Sequence, residues 1–235
     1  MHLFYTPGIS PFDHEYFLNE EESRHCTNVL RLQNGDELYL VDGSGGFYTA
    51  SVLVAHPKKT VVGITSVVTE FHKRNHYLHI AVAPTKNTER FEWFLEKASE
   101  IGIDEITPVI CHRSERKEIK AERLNKIITS AIKQSLKAYH PVLNGSVSFK
   151  TLLSKPFDGQ KFIAHCEEGD KTALASKIMP KGKYLVLIGP EGDFTNLEID
   201  AARAAGFEAI TLGESRLRTE TAALAACFEV NFLNR

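Results

Sequence analysis

The chain has 235 residues, 43% hydrophobic and 25% charged, with a formal net charge of -2. This is the balance of an ordinary soluble globular protein with enough apolar material for a sizeable core in one large or two smaller domains. No apolar run approaches the roughly 20 residues that span a bilayer, and the start, which soon reaches Pro7 and then acidic residues, is no signal peptide, so a cytoplasmic protein with no membrane association is expected. Cys26, Cys111, Cys166 and Cys227 are far apart and form no CxxC, which points to free thiols rather than a zinc site or a disulfide framework. Charge is uneven along the chain. Residues 1–70 carry 4 basic and 9 acidic side chains, residues 71–150 carry 14 and 9, and residues 151–235 carry 10 and 12. A basic middle marks either an anionic partner or a solvated helix face.

The first seventy residues read as strands and turns. Glu37–Val41 and Phe47–Val54 flank the turn cluster Asp42-Gly43-Ser44-Gly45-Gly46 and predict a hairpin. Thr60–Thr69 is β-branched and strand-like. Segment 20–32 suits a short helix. The polar tract Phe71-His72-Lys73-Arg74-Asn75 is a candidate linker.

Beyond it, strands and helices alternate. Strands are predicted over Tyr77–Ala83, Ile106–Ile110, Lys161–Cys166, Tyr184–Ile188 and Ala209–Leu212. Helices are predicted over 89–101 (with Phe91, Phe94, Leu95, Ala98 and Ile101 on one stripe and Gly102 as cap), over 121–137, from the Thr195–Glu198 capping box to Gly206, and over Thr221–Leu233. Such alternation predicts a parallel sheet covered by helices.

Three glycine-bearing or polar loops follow three apolar strands: His165-Cys166-Glu167-Glu168-Gly169, Gly189-Pro190-Glu191-Gly192-Asp193-Phe194 and Gly213-Glu214-Ser215-Arg216-Leu217-Arg218. In open α/β sheets ligands bind beyond the carboxyl ends of strands, and glycine lets main-chain groups approach a ligand. Taken singly, each loop is as well explained by glycine and proline ending a strand. Together they outline one pocket. Neither GxxxxGK[ST] nor a strand–GxGxxG–helix is present, so an adenosine-type ligand would be held in another way. His72, His76 and His79 are read as surface histidines, with no metal site.

The run Ile188–Phe194 followed by Leu212–Ala222, with a helix and a short strand between, resembles the paired signature of the ribosomal RNA small subunit methyltransferase E family. Weaker matches run through Arg90–Trp93 with Lys97–Gly102, Arg113–Arg116, Ala131–Ser135 with Pro141, and His25–Leu32 with Gly35-Asp36, so the resemblance covers essentially the whole chain. It implies an α/β fold of the SPOUT class over 73–235, with a parallel sheet and a deep trefoil knot, joined to a PUA-like, RNA-binding β-barrel over 1–72. It further implies a homodimer, S-adenosyl-L-methionine as cofactor, and methylation of N3 of the uridine at position 1498 of 16S ribosomal RNA in the 30S subunit.

Carried residue by residue, the resemblance places the cofactor on His165, Cys166, Glu167, Ile188, Gly189, Pro190, Glu191, Gly192, Leu212, Gly213, Ser215, Leu217 and Arg218. Arg218 is expected to stabilise charge on the uracil oxygens, and Glu220 to act as base or as orienter of Arg218; a structural Arg218–Glu220 ion pair is the plainer reading. RNA contacts are expected from Arg24, Arg31, Lys86, Arg90, Arg113, Arg116 and Lys133. The chain departs from the family in having Asp193 where a second glycine is usual and Leu136-Lys137 where an arginine is usual. Rival expectations are a SPOUT methyltransferase acting on another RNA, at a base or a ribose 2′-hydroxyl, and a non-catalytic ribosome-assembly factor.

Overall fold

The structure, a computed structural model, describes residues 2–235 and divides into two compact units. The first holds the residues up to Lys73 together with 132–140. Its strands are β1 (Leu3–Tyr5), β2 (Glu15–Phe17), β3 (Glu37–Val41), β4 (Phe47–Val54) and β5 (Val61–Val68). They form one sheet in the order β1-β3-β4-β5-β2, with β1 and β3 parallel and the other pairs antiparallel. β1 and β2 lie at opposite edges of this curled sheet, a half-barrel in keeping with the expected PUA-like barrel.

The hairpin between β3 and β4 follows from Asp42, whose Oδ1 accepts the N–H groups of Ser44 (2.7 Å) and Gly46 (2.9 Å). Gly45 turns there with φ +111°, where a Cβ would meet Cζ of the Tyr139 ring at 2.6 Å. Along β4 every second residue, Tyr48, Ala50 and Val52, is buried, so one face of the sheet builds the core. α1 (Glu20–Arg24) begins at Asn19, which accepts the N–H of Glu22, and continues as one turn of π-helix, His25–Val29. Residues 132–140 join this unit through main-chain bonds from Gly45 N to Ala138 O (3.1 Å) and from His140 N to Gly43 O (2.9 Å).

The second unit contains β6 (Tyr77–Val82), α2 (Thr88–Ile101), β7 (Glu105–Ile110), most of α3 (Ala121–Gln134), β8 (Val142–Leu143), β9 (Val147–Ser148), α4 (Phe149–Ser154), β10 (Gln160–Ala164), β11 (Thr172–Ala173), α5 (Leu174–Lys177), β12 (Lys183–Ile188), α6 (Asn196–Ala204), β13 (Glu208–Thr211) and α7 (Thr219–Leu233). The strands form a parallel sheet in the order β11-β13-β10-β12-β6-β7-β8, with β9 also on β7. β6 and β12 are buried along nearly their whole length, as central strands covered on both faces must be. Phe149 and Leu152 of α4 with Ile199 and Ala202 of α6 cover one face. On the other, α7 packs against α2, β6 and β12.

The differences from expectation have local causes. β10 ends at Ala164, two residues early, because the N–H of Cys166 is taken by the Asp193 carboxylate. α3 stops at Gln134 rather than 137, as Leu136 adopts φ 56°. His79 is no surface histidine: it is buried and bonded to Thr107 Oγ1 at 2.8 Å.

Candidate active site

Register places the three loops side by side. Ala164 pairs with Ile188 and with Ile210, so β10, β12 and β13 end together. Their loops surround a cavity of about 640 Å³, a size suited to a small organic ligand. Of the cofactor residues expected from sequence, all but Glu167 and Gly192 line it.

Each loop is held by bonds its own residues make. In the first, the Lys171 ammonium donates to the carbonyls of His165 (3.1 Å) and Glu167 (2.8 Å). In the second, Gly189 has no room for a side chain: a Cβ would sit 2.9 Å from Cε2 of the buried Phe194 ring. Asp193 takes the left-handed conformation, φ 61°, that glycine would occupy more easily. Aspartate tolerates that region better than most residues. Here its Oδ1 accepts the N–H of Phe194 and its Oδ2 that of Cys166, both at 2.8 Å. It does not cap α6, a task done by Thr195 and Glu198 in the expected capping box. The carboxylate thus latches the second loop to the first. In the third loop, Gly213 lies at φ +118° and Thr211 Oγ1 donates to its carbonyl. Thr219, the first residue of α7, donates from Oγ1 to Gly189 O at 3.0 Å and ties the third loop to the second. Lys171, Asp193, Thr211 and Thr219 were missed as site residues from sequence. Thr219 stood within the matched motif, but no local pattern pointed to Lys171.

His165 is only 8% exposed, and neither ring nitrogen has a hydrogen-bond partner among the described residues. Burial, and then the nearby Lys171 ammonium, push its pKa down, so the ring is neutral at pH 7 with one donor and one acceptor to offer. Such an orphaned buried group, beside main-chain atoms of glycine loops, fits a polar, adenosine-sized ligand. Among the described residues no cluster of three His, Cys, Asp or Glu is placed to hold a metal ion.

Arg218 lines the cavity with an exposed side chain and has no ion pair among the described residues. Glu220 does not pair with it. Instead Glu220 is 7% exposed, with Oε1 3.9 Å from Arg90 Nε and Oε2 without a partner among the described residues, because the first turn of α7 directs it toward α2.

The basic residues divide into two sets. The Arg113 guanidinium donates to the carbonyls of Gly192 (2.8 Å) and Phe194 (3.3 Å), bracing the second loop from behind. Arg116 donates to Thr85 O and Lys86 O. Lys133 is bound by both oxygens of Glu22 and lies over the Phe4 ring. These three are engaged internally. Lys86 and Arg24 are exposed and pair with the exposed Glu115 and Glu20, while Arg31 is exposed without an ion pair among the described residues. Arg90 is half-buried beside Glu220.

Comparison with known proteins places this geometry in a family. The RNA methyltransferase domain family matches residues 72–231, and the RNA methyltransferase PUA domain family matches residues 18–65. A ribosomal RNA small subunit methyltransferase E from Mesomycoplasma hyopneumoniae is 32% identical, the match spanning 90% of this chain and 96% of that one. A crystal structure from Porphyromonas gingivalis described as a probable rRNA-methyltransferase is 40% identical with a TM-score of 0.92, covering 100% of this chain and 98% of that one. A Neisseria gonorrhoeae ribosomal RNA small subunit methyltransferase E, solved bound to S-adenosyl methionine, is 30% identical with a TM-score of 0.89 and coverage of 100% and 98%. The α/β unit is therefore an RNA methyltransferase domain accompanied by a PUA domain, and the chain belongs to the ribosomal RNA small subunit methyltransferase E family.

Proposed function

We propose that this chain transfers a methyl group from S-adenosyl-L-methionine to N3 of the uridine at position 1498 of 16S ribosomal RNA within the 30S subunit. The observation that carries the reading is the convergence of three strand-end loops on one cavity with Arg218 on its wall. The relatives named for this activity, one of them bound to the same cofactor, support it.

The cofactor, when bound, supplies an electrophilic methyl group on a sulfonium. The chain supplies position and charge. Main-chain groups of Gly189, Leu212 and Gly213 and the neutral His165 ring would hold it. Uridine N3 is a poor nucleophile while protonated, so loss of its proton must be made easier. Arg218 stabilises the negative charge that then spreads to the uracil oxygens. Glu220 acts through Arg90, which it positions, rather than on the base itself.

The β unit, residues 1–72 by the boundary set from sequence, would grip RNA, and residues 73–235 would bind cofactor and target. Given the internal bonds of Arg113, Arg116 and Lys133, RNA phosphates fall to Arg24, Arg31, Lys86 and Arg90. A homodimer accounts for Trp93 on α2 and Phe228 and Phe232 on α7, which are 43%, 51% and 54% exposed. The reaction belongs in the cytoplasm with its ribosomal substrate; no helix among the described residues is long and apolar enough to cross a membrane.

Calorimetry tests the first step. One S-adenosylmethionine per chain, with binding abolished by filling the cavity through Gly213→Trp, is expected. No binding by the unmodified chain would instead favour the non-catalytic assembly factor.

A further inference from the structure

A second cavity, of about 260 Å³, lies beside α2, lined among others by Pro84, Phe91, Glu92, Arg116, Ile119 and Arg123. Its polar groups are unusual for a surface cleft. The Glu92 carboxylate, 14% exposed, is gripped by Arg123 through two bonds, Nε to Oε1 (2.8 Å) and Nη2 to Oε2 (2.9 Å). An ionised carboxylate offers about four acceptor positions, so this fork leaves each oxygen able to accept once more. Phe91 and Pro84 supply an apolar floor, and the Arg116 and Arg123 guanidiniums supply planar cations. The combination suits a flat heteroaromatic ring that carries N–H donors and belongs to an anionic chain.

A chain of hydrogen bonds links the second cavity to the first. Arg116 donates to the carbonyls of Thr85 and Lys86, and the Lys86 N–H donates to Glu191, which lines the larger cavity. Thr85 and Lys86 therefore connect the two through hydrogen bonds.

We infer that this second cavity is a subsite for a nucleobase of the RNA substrate near the methylated uridine, and that Glu92 selects a base bearing an exocyclic amino group. The inference rests on the reading of the chain as an RNA methyltransferase. Cytosine presents an exposed amino donor to the carboxylate, whereas the single N3–H of uracil is flanked by two carbonyl oxygens that the carboxylate repels, so the site discriminates in favour of cytosine. Glu92 is a specificity-determining residue rather than a catalytic one.

The test uses the full-length protein with ten-nucleotide oligo-C and oligo-U RNAs in an anisotropy titration, with S-adenosylmethionine affinity measured in parallel. The unmodified protein is expected to bind oligo-C about tenfold more tightly than oligo-U, the size of one hydrogen bond to a charged group. Glu92→Gln should abolish that preference, and Ile119→Trp, which fills the cavity from a loop, should weaken oligo-C binding. Both variants should keep cofactor affinity within about twofold, the sign that the fold and the first cavity are intact. Equal affinity for the two RNAs, or a preference untouched by both variants, would overturn the subsite. Failure of the unmodified enzyme to methylate 30S subunits, with the oligo-C preference present and sensitive to Glu92→Gln, would sink the proposed reaction while upholding the subsite.

Discussion

The cofactor loops and the basic side chains were singled out from the same sequence, and the structure treats them differently. Nearly all the expected loop residues meet at one cavity. Of seven expected RNA-binding cations, three are committed to internal bonds, Arg113, Arg116 and Lys133. The contrast has a physical source. A loop that presents main-chain atoms must have glycine or a tolerant substitute at fixed places, and that requirement is written locally. A cation reaches partners anywhere within the length of its side chain, and the carbonyl or carboxylate it meets is set by the tertiary fold.

The largest effect expected lies where the two sets meet, at Arg218. Arg218→Ala should lower the methyl-transfer rate about a thousandfold with cofactor affinity retained, since charge stabilisation in the transition state is what is lost; single-turnover transfer with cofactor titration measures both. A variant that loses cofactor binding and rate in proportion would make Arg218 a cofactor ligand only.

The interface comes next. Phe228→Ser with Phe232→Ser is expected to weaken self-association about a hundredfold, in line with the loss of two aromatic anchors. Sedimentation of the double variant as a dimer at the concentration of the parent would contradict the homodimer.

Gly189→Ala probes the loop set alone. Its Cβ would press on the Phe194 ring, costing about 1–3 kcal/mol of stability by overpacking and weakening cofactor binding. Unchanged melting and cofactor affinity would show the second loop to be less constrained than its geometry indicates.

Arg113 and Lys86 sharpen the comparison between internal and external cations. Arg113→Ala should raise the cofactor Kd several-fold, by about 1 kcal/mol, with RNA affinity unaltered, because it removes the brace on Gly192 and Phe194. Lys86→Ala should do the reverse, weakening RNA binding and flattening its salt dependence. Equal effects of both substitutions on RNA binding would erase the distinction.

The smallest effect concerns pH. Burial lowers the pKa of both His79 and His165 below the ordinary value of 6.5. The unfolded chain then takes up protons first, so this part of the stability is present above pH 6.5 and is lost as pH falls below it toward the folded-state values. Thermal melts should show Tm falling over that window, less steeply in His165→Gln; a slope identical in the variant would remove His165 from the account.

Much of the sheet was legible because apolar runs such as Tyr184–Ile188 have few other destinations than a doubly covered strand. The capping box at Thr195 and the cap at Gly102 fixed helix ends for the same local reason. What escaped was non-local. The short strands β1, β2, β8, β9 and β11 have two or three residues each and owe their state to a neighbouring strand. The return of residues 132–140 to the first unit depends on Gly43 and Gly45, some ninety positions earlier. Asp193 looked like a defect beside the usual glycine, yet its carboxylate bonds two loops, something visible only once β10 and β12 lie in register.

The central claim is most directly tested by incubating the protein with labelled S-adenosylmethionine and 30S subunits that lack the modification, followed by nucleoside mass spectrometry and mapping of the labelled position. The account predicts N3-methyluridine at position 1498 of 16S ribosomal RNA. Label on a ribose 2′-hydroxyl or at another nucleotide, or no transfer by a chain that binds the cofactor, would contradict it.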